Sequence, residues 1–510
     1  MKAHVSRSES GEYNFPSRRI MRLMNLDPST CYRAMSARDA RFDGRFFVAV
    51  SSTRIYCRPI CTVKRPKREN CTFYPSAAAA ESAGYRPCLR CRPELAPGNS
   101  SVDAVRRIAQ GAARLIEDGA LDATDVETIA NRLGITDRHL RRVFQTEFGV
   151  SPVAFVQTQR LLLAKRLLTD TALPVTEIAF ASGFNSLRRF NALFKERYRL
   201  TPNGIRKAIR PSALPDALTF ELSFRPPYDW KGLLAFLGVR AVAGVEATDG
   251  STYRRTVHLT HSGKAQTGWI EVTLAKRRPA LQVSVSTSLA KTLPAVLGRV
   301  KDLMDLSCNP TEVAQVLGNL SERNPGVRVP GAFDGFEVAV RAILGQQVSV
   351  AGARTLAGRF ARKFGADIET PFESLTTVFP TPAEVADAAP TSIIKCGVTS
   401  ARARALLGLA RAINDGKLHL TPGADIEATL QKLRALPGIG EWTAQYIAMR
   451  ALAWPDAFPH SDLGILKAMK LTEPKRALVA AENWRPWRAY AVMHLWQSLP
   501  NHDKRKNGSA

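Results

Sequence analysis

Two close cysteine pairs, Cys57-x3-Cys61 and Cys88-x2-Cys91, constrain this chain more than any other feature. Each pair sets two thiols on a short turn, so together they predict a four-thiolate zinc site. The rival is a pair of disulfides in a secreted domain. The chain opens on no apolar signal stretch, which favours a reducing, cytoplasmic setting and hence the metal. Beside the thiols lie five basic residues, Arg58, Lys64, Arg65, Lys67 and Arg68. Such a run is usually a solvated face, but next to thiolates it also predicts a surface that meets phosphate. Cys71, a fifth thiol nearby, is expected to be buried and structural.

The charge balance points the same way. The 510 residues carry 72 Lys and Arg against 45 Asp and Glu, a formal net charge of +27. That excess calls for a polyanionic partner. No apolar run is long enough to span a membrane and no lipidation motif is evident, so nucleic acid is expected and a membrane is not; the resemblances described below narrow this to double-stranded DNA. With 45% hydrophobic residues the chain is globular, and its length predicts about three or four domains. Polar residues 1–26 form a flexible segment by composition. Breaks rich in Pro, Gly and Ser fall at 92–101 and 210–215, and a softer one near Leu293 and Pro294.

Between the first two breaks the apolar spacing is helical. Residues 125–144 read as helix, turn at Gly134 and second helix, with Arg138, Arg141 and Arg142 facing outward. The pattern returns at 174–195, with Asn185, Arg188 and Arg189 on its second helix. One such hairpin is a weak signal; two joined by a helix through 161–168 are a strong one for DNA binding.

Residues 218–285 alternate apolar and polar side chains, which predicts an antiparallel sheet with a helix at 230–237 and no chemistry of its own. The rest is helical. Leu436-Pro437-Gly438-Ile439-Gly440-Glu441-Trp442 reads as a helix-hairpin-helix, whose Gly438 and Gly440 allow a tight turn with amides aimed at phosphate. Asp462 follows about one helix and loop later. It suits the N-cap of a helix starting near Leu463, and a capped carboxylate is also a fixed one.

Three resemblances sharpen these readings. The first segment resembles the Ada-type methylphosphotriester repair domain through Ile55-Tyr56-Cys57-Arg58-Pro59-x-Cys61, Glu69-Asn70, Phe73-Tyr74 and Gly84-Tyr85-Arg86-Pro87-Cys88-x-Arg90-Cys91. That family implies Cys57 as zinc ligand and irreversible methyl acceptor, with Thr53, Lys64 and Arg86 at the DNA backbone. The paired hairpins, ending in Phe194-Lys195-x3-Arg199-x-Thr201-Pro202, resemble the AraC-type DNA-binding domain. This implies recognition helices near 136–144 and 185–195 in successive major-groove faces, promoter activation, and RNA polymerase as a partner. The remainder resembles the AlkA-type branch of the helix-hairpin-helix glycosylases through Phe336-x4-Arg341-Ala342-Ile343-Leu344-Gly345-Gln346-Gln347 and Arg485-Pro486-Trp487-Arg488. There Asp462 is the implied catalytic carboxylate, and Trp442, Tyr446 and Trp496 form an aromatic pocket for an extruded alkylated base. A cationic base would be drawn to those rings. The wedge that fills the vacated stack falls on Gln347 where the family can carry leucine.

The expected architecture is multidomain, mainly α with α+β parts. It comprises a zinc methyl-acceptor domain at 27–97, an all-α double helix-turn-helix at 101–210, a β-rich α+β domain at 214–295 and an all-α glycosylase domain at 296–505. Glu441-Trp442 stands where lyase-active relatives place a Schiff-base lysine, so excision without strand cleavage is expected. No second methyl-acceptor word is present, and direct repair of guanine O6-methyl lesions is not expected. The implied setting is a bacterial cytoplasm, close to the nucleoid. The rivals are a transcription factor with structural zinc and an inactive glycosylase module, and a repair enzyme whose middle domain binds DNA without sequence preference.

Overall fold

A computed structural model describes residues 27–98, 104–117, 126–207, 217–261 and 263–499. The segment 1–26, the break at 210–215, residues 99–101 and 500–505, and Asp125 lie outside the described residues. No helix among the described residues is long and apolar enough to cross a membrane.

The N-terminal sheet is built from strands β1 (Phe47–Val50), β2 (Ile55–Cys57), β3 (Cys71–Tyr74) and β4 (Arg86–Pro87), in the order β3-β1-β2-β4. β1 is antiparallel to both its neighbours, and β2 pairs with β4 in parallel. Side chains two apart share a face. Val48 and Phe73 therefore pack with Phe46 on Cys31, Ala34 and Met35 of helix Pro28–Ser36, while Phe47, Ala49 and Tyr56 pack on Ala77 and Ala80 of helix Ala77–Ser82. Cys71 is buried in the first cluster, as expected. Both clusters are small.

The break expected at 92–101 is corrected over its first part. Residues 93–95 form a turn of 3-10 helix, Leu95 is buried, and the Glu94 carboxylate meets the fully buried Lys165 ammonium at 2.6 Å. Arg92 reaches Asp170 at 2.7 Å. Pro and Gly marked irregular backbone here, but the charges carried between them are anchored on the long helix Pro152–Asp170, so the segment is a seam and not a free tether.

A second seam lies at Glu81. Its buried carboxylate accepts from Tyr56 Oη at 3.0 Å, Thr158 Oγ1 at 3.1 Å and Tyr198 Oη at 3.2 Å, joining the N-terminal domain to the central helix Pro152–Asp170 and to the end of helix Leu187–Tyr198. Burial pushes the Glu81 carboxyl up to about 7, while the three hydroxyls and nearby Arg197 oppose that rise. In the unfolded chain it titrates near about 4.3. Between those values the folded protein keeps a proton that the unfolded chain has lost. The group's contribution is thus complete below about pH 4 and falls by roughly 3 kcal/mol as pH rises through 7. Glu81→Gln should flatten that slope in urea melts at pH 5 and pH 7.5, and a slope that survives the substitution excludes Glu81 as its source.

The helical domain contains two hairpins. Helices Val126–Arg132 and Asp137–Phe148 flank Gly134; helices Val175–Ala181 and Leu187–Tyr198 flank Gly183. Thr136 and Ser186 cap the two second helices, each accepting from the amide three residues on. Pro152–Asp170 joins the hairpins, with Phe155, Val156, Leu161, Leu162, Leu167 and Leu168 buried. Helix Ala104–Glu117 then docks on the C-terminal part. A side chain at Gly111 or Gly423 would strike the other's Cα at 2.3 or 2.2 Å, so only glycine permits this contact.

The C-terminal part begins with a five-stranded antiparallel sheet, β5 (Ala217–Ser223), β6 (Glu246–Thr248), β7 (Thr252–His261), β8 (Lys264–Leu274) and β9 (Ala280–Ser286), ordered β5-β9-β8-β7-β6. Helix Trp230–Gly238 lies between β5 and β6. The sheet packs on the helices that follow, and β7 is tied to them by Arg255, whose guanidinium is buried against Glu337 at 2.6 Å.

Candidate functional site

β2 ends on Cys57, and the turn after β4 carries Cys88 and Cys91; Cys61 comes back on the turn after Cys57. The parallel β2–β4 pairing brings both cysteine pairs together, and all four sulfurs lie within 4.8 Å of one another. Tetrahedral zinc with bonds of ~2.3 Å requires sulfurs about 3.8 Å apart, so the set fits such an ion. Backbone amides donate to two of these sulfurs, Arg58 N to Cys91 Sγ at 3.3 Å and Arg90 N to Cys88 Sγ at 3.4 Å, as thiolates prefer. Cys57 is buried but opens on a cleft of about 720 Å³, shared with Thr53, Lys64, Arg65 and the apolar Val48, Ile55 and Val63.

The five-residue basic surface is corrected. Arg58 is buried, and its guanidinium is committed to the carboxylate of Asp43, with Nε to Oδ1 at 2.8 Å. Arg68 stacks on Phe73 and Tyr32. Lys64 and Arg65 line the cleft, and Lys67 points to solvent. Arg86 sits on β4 opposite Ile55 and does not line the cleft. The sequence shows five charges within 11 residues but not that Asp43 takes up Arg58 and that Tyr32 and Phe73 take up Arg68.

The second site is built at the hairpin. Gly438, at φ +87°, turns the chain between helices Ile426–Ala435 and Glu441–Arg450, and Gly440 caps the second. Trp442 and Tyr446, one turn apart on that helix, stack at 5.3 Å with planes 14° apart. Trp496 comes from helix Arg488–Ser498 and stacks on Phe236 at 6.2 Å. Asp462 caps helix Leu463–Ala468 through Ile465 N at 3.0 Å, as the sequence predicted. Its two oxygens also accept indole hydrogen bonds, from Trp442 Nε1 at 2.9 Å and Trp496 Nε1 at 3.0 Å. The carboxylate is therefore fixed by three donors at the edge of a pocket of about 320 Å³.

Gln347 stands on the loop after helix Gly335–Leu344, exposed and at φ +52°. Neighbouring Gln346 pins that loop to the hairpin, donating to Gly438 O at 2.8 Å and Thr443 Oγ1 at 3.0 Å. Exposed Val348 and Val350 follow on the pocket lip. Reading the sequence alone missed the pocket residue Arg240 and, behind Trp496, Phe236, because they lie on and just after a helix at 230–237 that carries no chemical signature of its own.

Arg138, Arg141, Arg142, Asn185, Arg188 and Arg189 are all exposed on or beside the two second helices of the hairpins. Arg141 pairs with Asp137 at 3.0 Å, an exposed contact that DNA phosphate can displace at little cost.

Comparison with known proteins covers most of the chain. The metal-binding domain of Ada matches residues 30–94, a helix-turn-helix domain 129–208, the AlkA N-terminal domain 219–334 and the HhH-GPD superfamily of base-excision DNA repair proteins 340–488. A probable bifunctional transcriptional activator/DNA repair enzyme AlkA of Mycobacterium tuberculosis is 38% identical over 491 residues, covering 93% of this chain and 97% of its own. This chain belongs to that family. DNA-3-methyladenine glycosylase 2 of Escherichia coli is 38% identical over 277 residues, 54% of this chain and 96% of its own. The bifunctional activator/repair enzyme Ada of the same organism is 38% identical over 141 residues, 28% of this chain and 38% of its own. The chain thus joins a metal-binding domain, a helix-turn-helix region and a helix-hairpin-helix glycosylase domain, the last two with DNA as their partner.

Proposed function

We propose that this protein repairs alkylated DNA in two ways and reports the damage to its own promoters. The observation that carries the reading is Cys57, a thiol of the four-sulfur cluster that faces a cleft with apolar and basic walls. Cys57, Cys61, Cys88 and Cys91 would hold zinc, which keeps thiolates deprotonated at neutral pH. A methylphosphotriester is neutral, so it can approach such a centre, with Thr53 and Lys64 flanking it and Arg86 further along the backbone. The Cys57 sulfur forms a bond to the methyl carbon, the carbon–oxygen bond breaks, and its electron pair restores the phosphodiester's charge.

The glycosylase domain would release alkylated bases such as 3-methyladenine. Gly438 and Gly440 present backbone amides to a phosphate, Gln347 fills the gap left by the extruded base, and Trp442, Tyr446 and Trp496 hold that base. Asp462 then stabilises the oxocarbenium-like sugar and orients the attacking water. The two hairpin helices would read promoter DNA and bring RNA polymerase to repair genes.

Methylation removes one of the cluster's negative charges, which oppose phosphate beside Lys64 and Arg65. At an effective dielectric of ~20 this is worth about 1–3 kcal/mol, or ~5–150-fold in affinity. Binding to the protein's own upstream DNA should therefore tighten after exposure to methylphosphotriester DNA, and not in Cys57→Ala. Equal affinity before and after exposure would leave Cys57 without a signalling role.

A further inference from the structure

Besides its aromatic rings and Asp462, the base pocket is lined by Arg240, Arg341 and, exposed at its rim, Arg354. Arg341 is neutralised by Glu246 at 2.8 Å and Glu337 at 2.9 Å. Arg240 makes no ion pair among the described residues; its Nη1 donates to the Phe236 carbonyl at 3.3 Å. The guanidinium lies 3.8 Å over the Phe236 ring, whose ring also has Arg450 at 5.0 Å and stacks on Trp496. Arg450 donates to the Tyr446 hydroxyl at 2.8 Å and lies 5.7 Å from that ring. Burial and the like charges of Arg450 and Arg341 hold the Arg240 guanidinium below its usual value, against the opposing pull of the Tyr446 hydroxyl with which it hydrogen-bonds. Two arginines thus already lie against aromatic rings at and behind the pocket, Arg240 and Arg450 on Phe236 and Arg450 on Tyr446, and weaken the attraction those rings offer a cationic base.

We propose that Arg240 is a specificity-determining residue of the pocket, promoting release of uncharged purines that carry a hydrogen-bond acceptor edge at the expense of permanently cationic bases. The proposal rests on the base-excision reading given above. When the bond from C1′ to N9 breaks, its electron pair leaves with the base, and water oxygen bonds to C1′. A cationic base departs neutral and the water proton goes to solvent. A neutral purine departs as an anion and must recover that proton. Its developing charge falls on ring nitrogens and carbonyl oxygen, the acceptors a guanidinium matches best. An unneutralised arginine therefore helps the neutral leaving group in the transition state and repels the cationic base on arrival.

The test uses the full chain and two duplexes, one with a single hypoxanthine and one with a single 7-methylguanine, in single-turnover release assays. Arg240→Met keeps the apolar stem and removes the charge; it should lower hypoxanthine release ~10²-fold while 7-methylguanine release holds or rises. Arg240→Lys, which keeps the charge, should recover most of the lost ratio. Because the readout is a ratio, partial misfolding of a variant cancels. Wild-type protein that releases both bases, with the same ratio in Arg240→Met, would overturn this proposal alone. Wild-type release of 7-methylguanine without hypoxanthine would overturn it too. If neither base is released by wild-type protein, the excision reading itself fails.

Discussion

Asp462→Asn is expected to abolish base release while leaving DNA binding nearly intact. The turn at Gly438 and Gly440, proposed above to meet phosphate, and the lip at Gln347 lie on other elements, so the duplex should still be held and bent open. The chemistry should not survive. A positioned acid–base group contributes about 10²–10⁴-fold, and a neutral amide neither balances a cationic sugar nor takes a proton from water. The structure makes the loss more severe than charge removal alone. Both carboxylate oxygens accept from indoles, and an amide has one oxygen, so its NH₂ must face the N–H of Trp442 or of Trp496. One tryptophan then loses its partner and the pocket wall loosens. Release of 3-methyladenine from methylated DNA should fall by at least ~10²-fold, with the dissociation constant for an abasic-site duplex within a few-fold of wild type. Undiminished release would take Asp462 out of the reaction. Product strands from the wild-type protein should also stay uncut at the abasic site, since Glu441-Trp442 offers no amine nucleophile.

Much of this was legible in the sequence, for physical reasons that differ from part to part. The cysteine spacing announced the sulfur cluster because two short turns leave few other ways to place four thiols. The hairpins announced themselves through helical periodicity interrupted at Gly134 and Gly183, and Asp462 through its fitness as an N-cap. What stayed hidden depends on partners distant in sequence. Arg58 reads as surface charge until Asp43 is seen beside it. Glu94 and Lys165 look like two solvated charges, yet they bury each other across 71 residues. Arg240 follows a helix that looked purely structural, and only the packing of that helix on the hairpin domain brings it to the pocket. Local pattern reveals ligand sets and caps; it does not reveal seams.

Removing the metal, or replacing Cys88 with Ser, should unfold residues near 30–97 and spare base excision. The N-terminal sheet has four short strands and two small apolar clusters, one on each face. A core of that size falls short of the conformational entropy it must offset. The cluster ties the end of β2 to the turn after β4, strands that share only a two-residue parallel pairing. Structural zinc sites supply ~10–16 kcal/mol in small peptides, comparable with the whole stability of an ordinary domain. Without the ion, four close thiols remain facing one another, and the Glu81 and Glu94 seams are not enough to hold the sheet. The pocket beside Asp462 draws its residues from 240 to 496, all outside this domain. Chelation should therefore release one equivalent of zinc, expose 30–97 to limited proteolysis and end methyl transfer, with 3-methyladenine release unchanged. Because Lys165 is fully buried against Glu94, loss of the domain also strands an ammonium on helix Pro152–Asp170, and promoter binding should weaken in parallel. A chain that keeps its N-terminal fold and its methyl transfer after complete metal removal would refute the metal assignment.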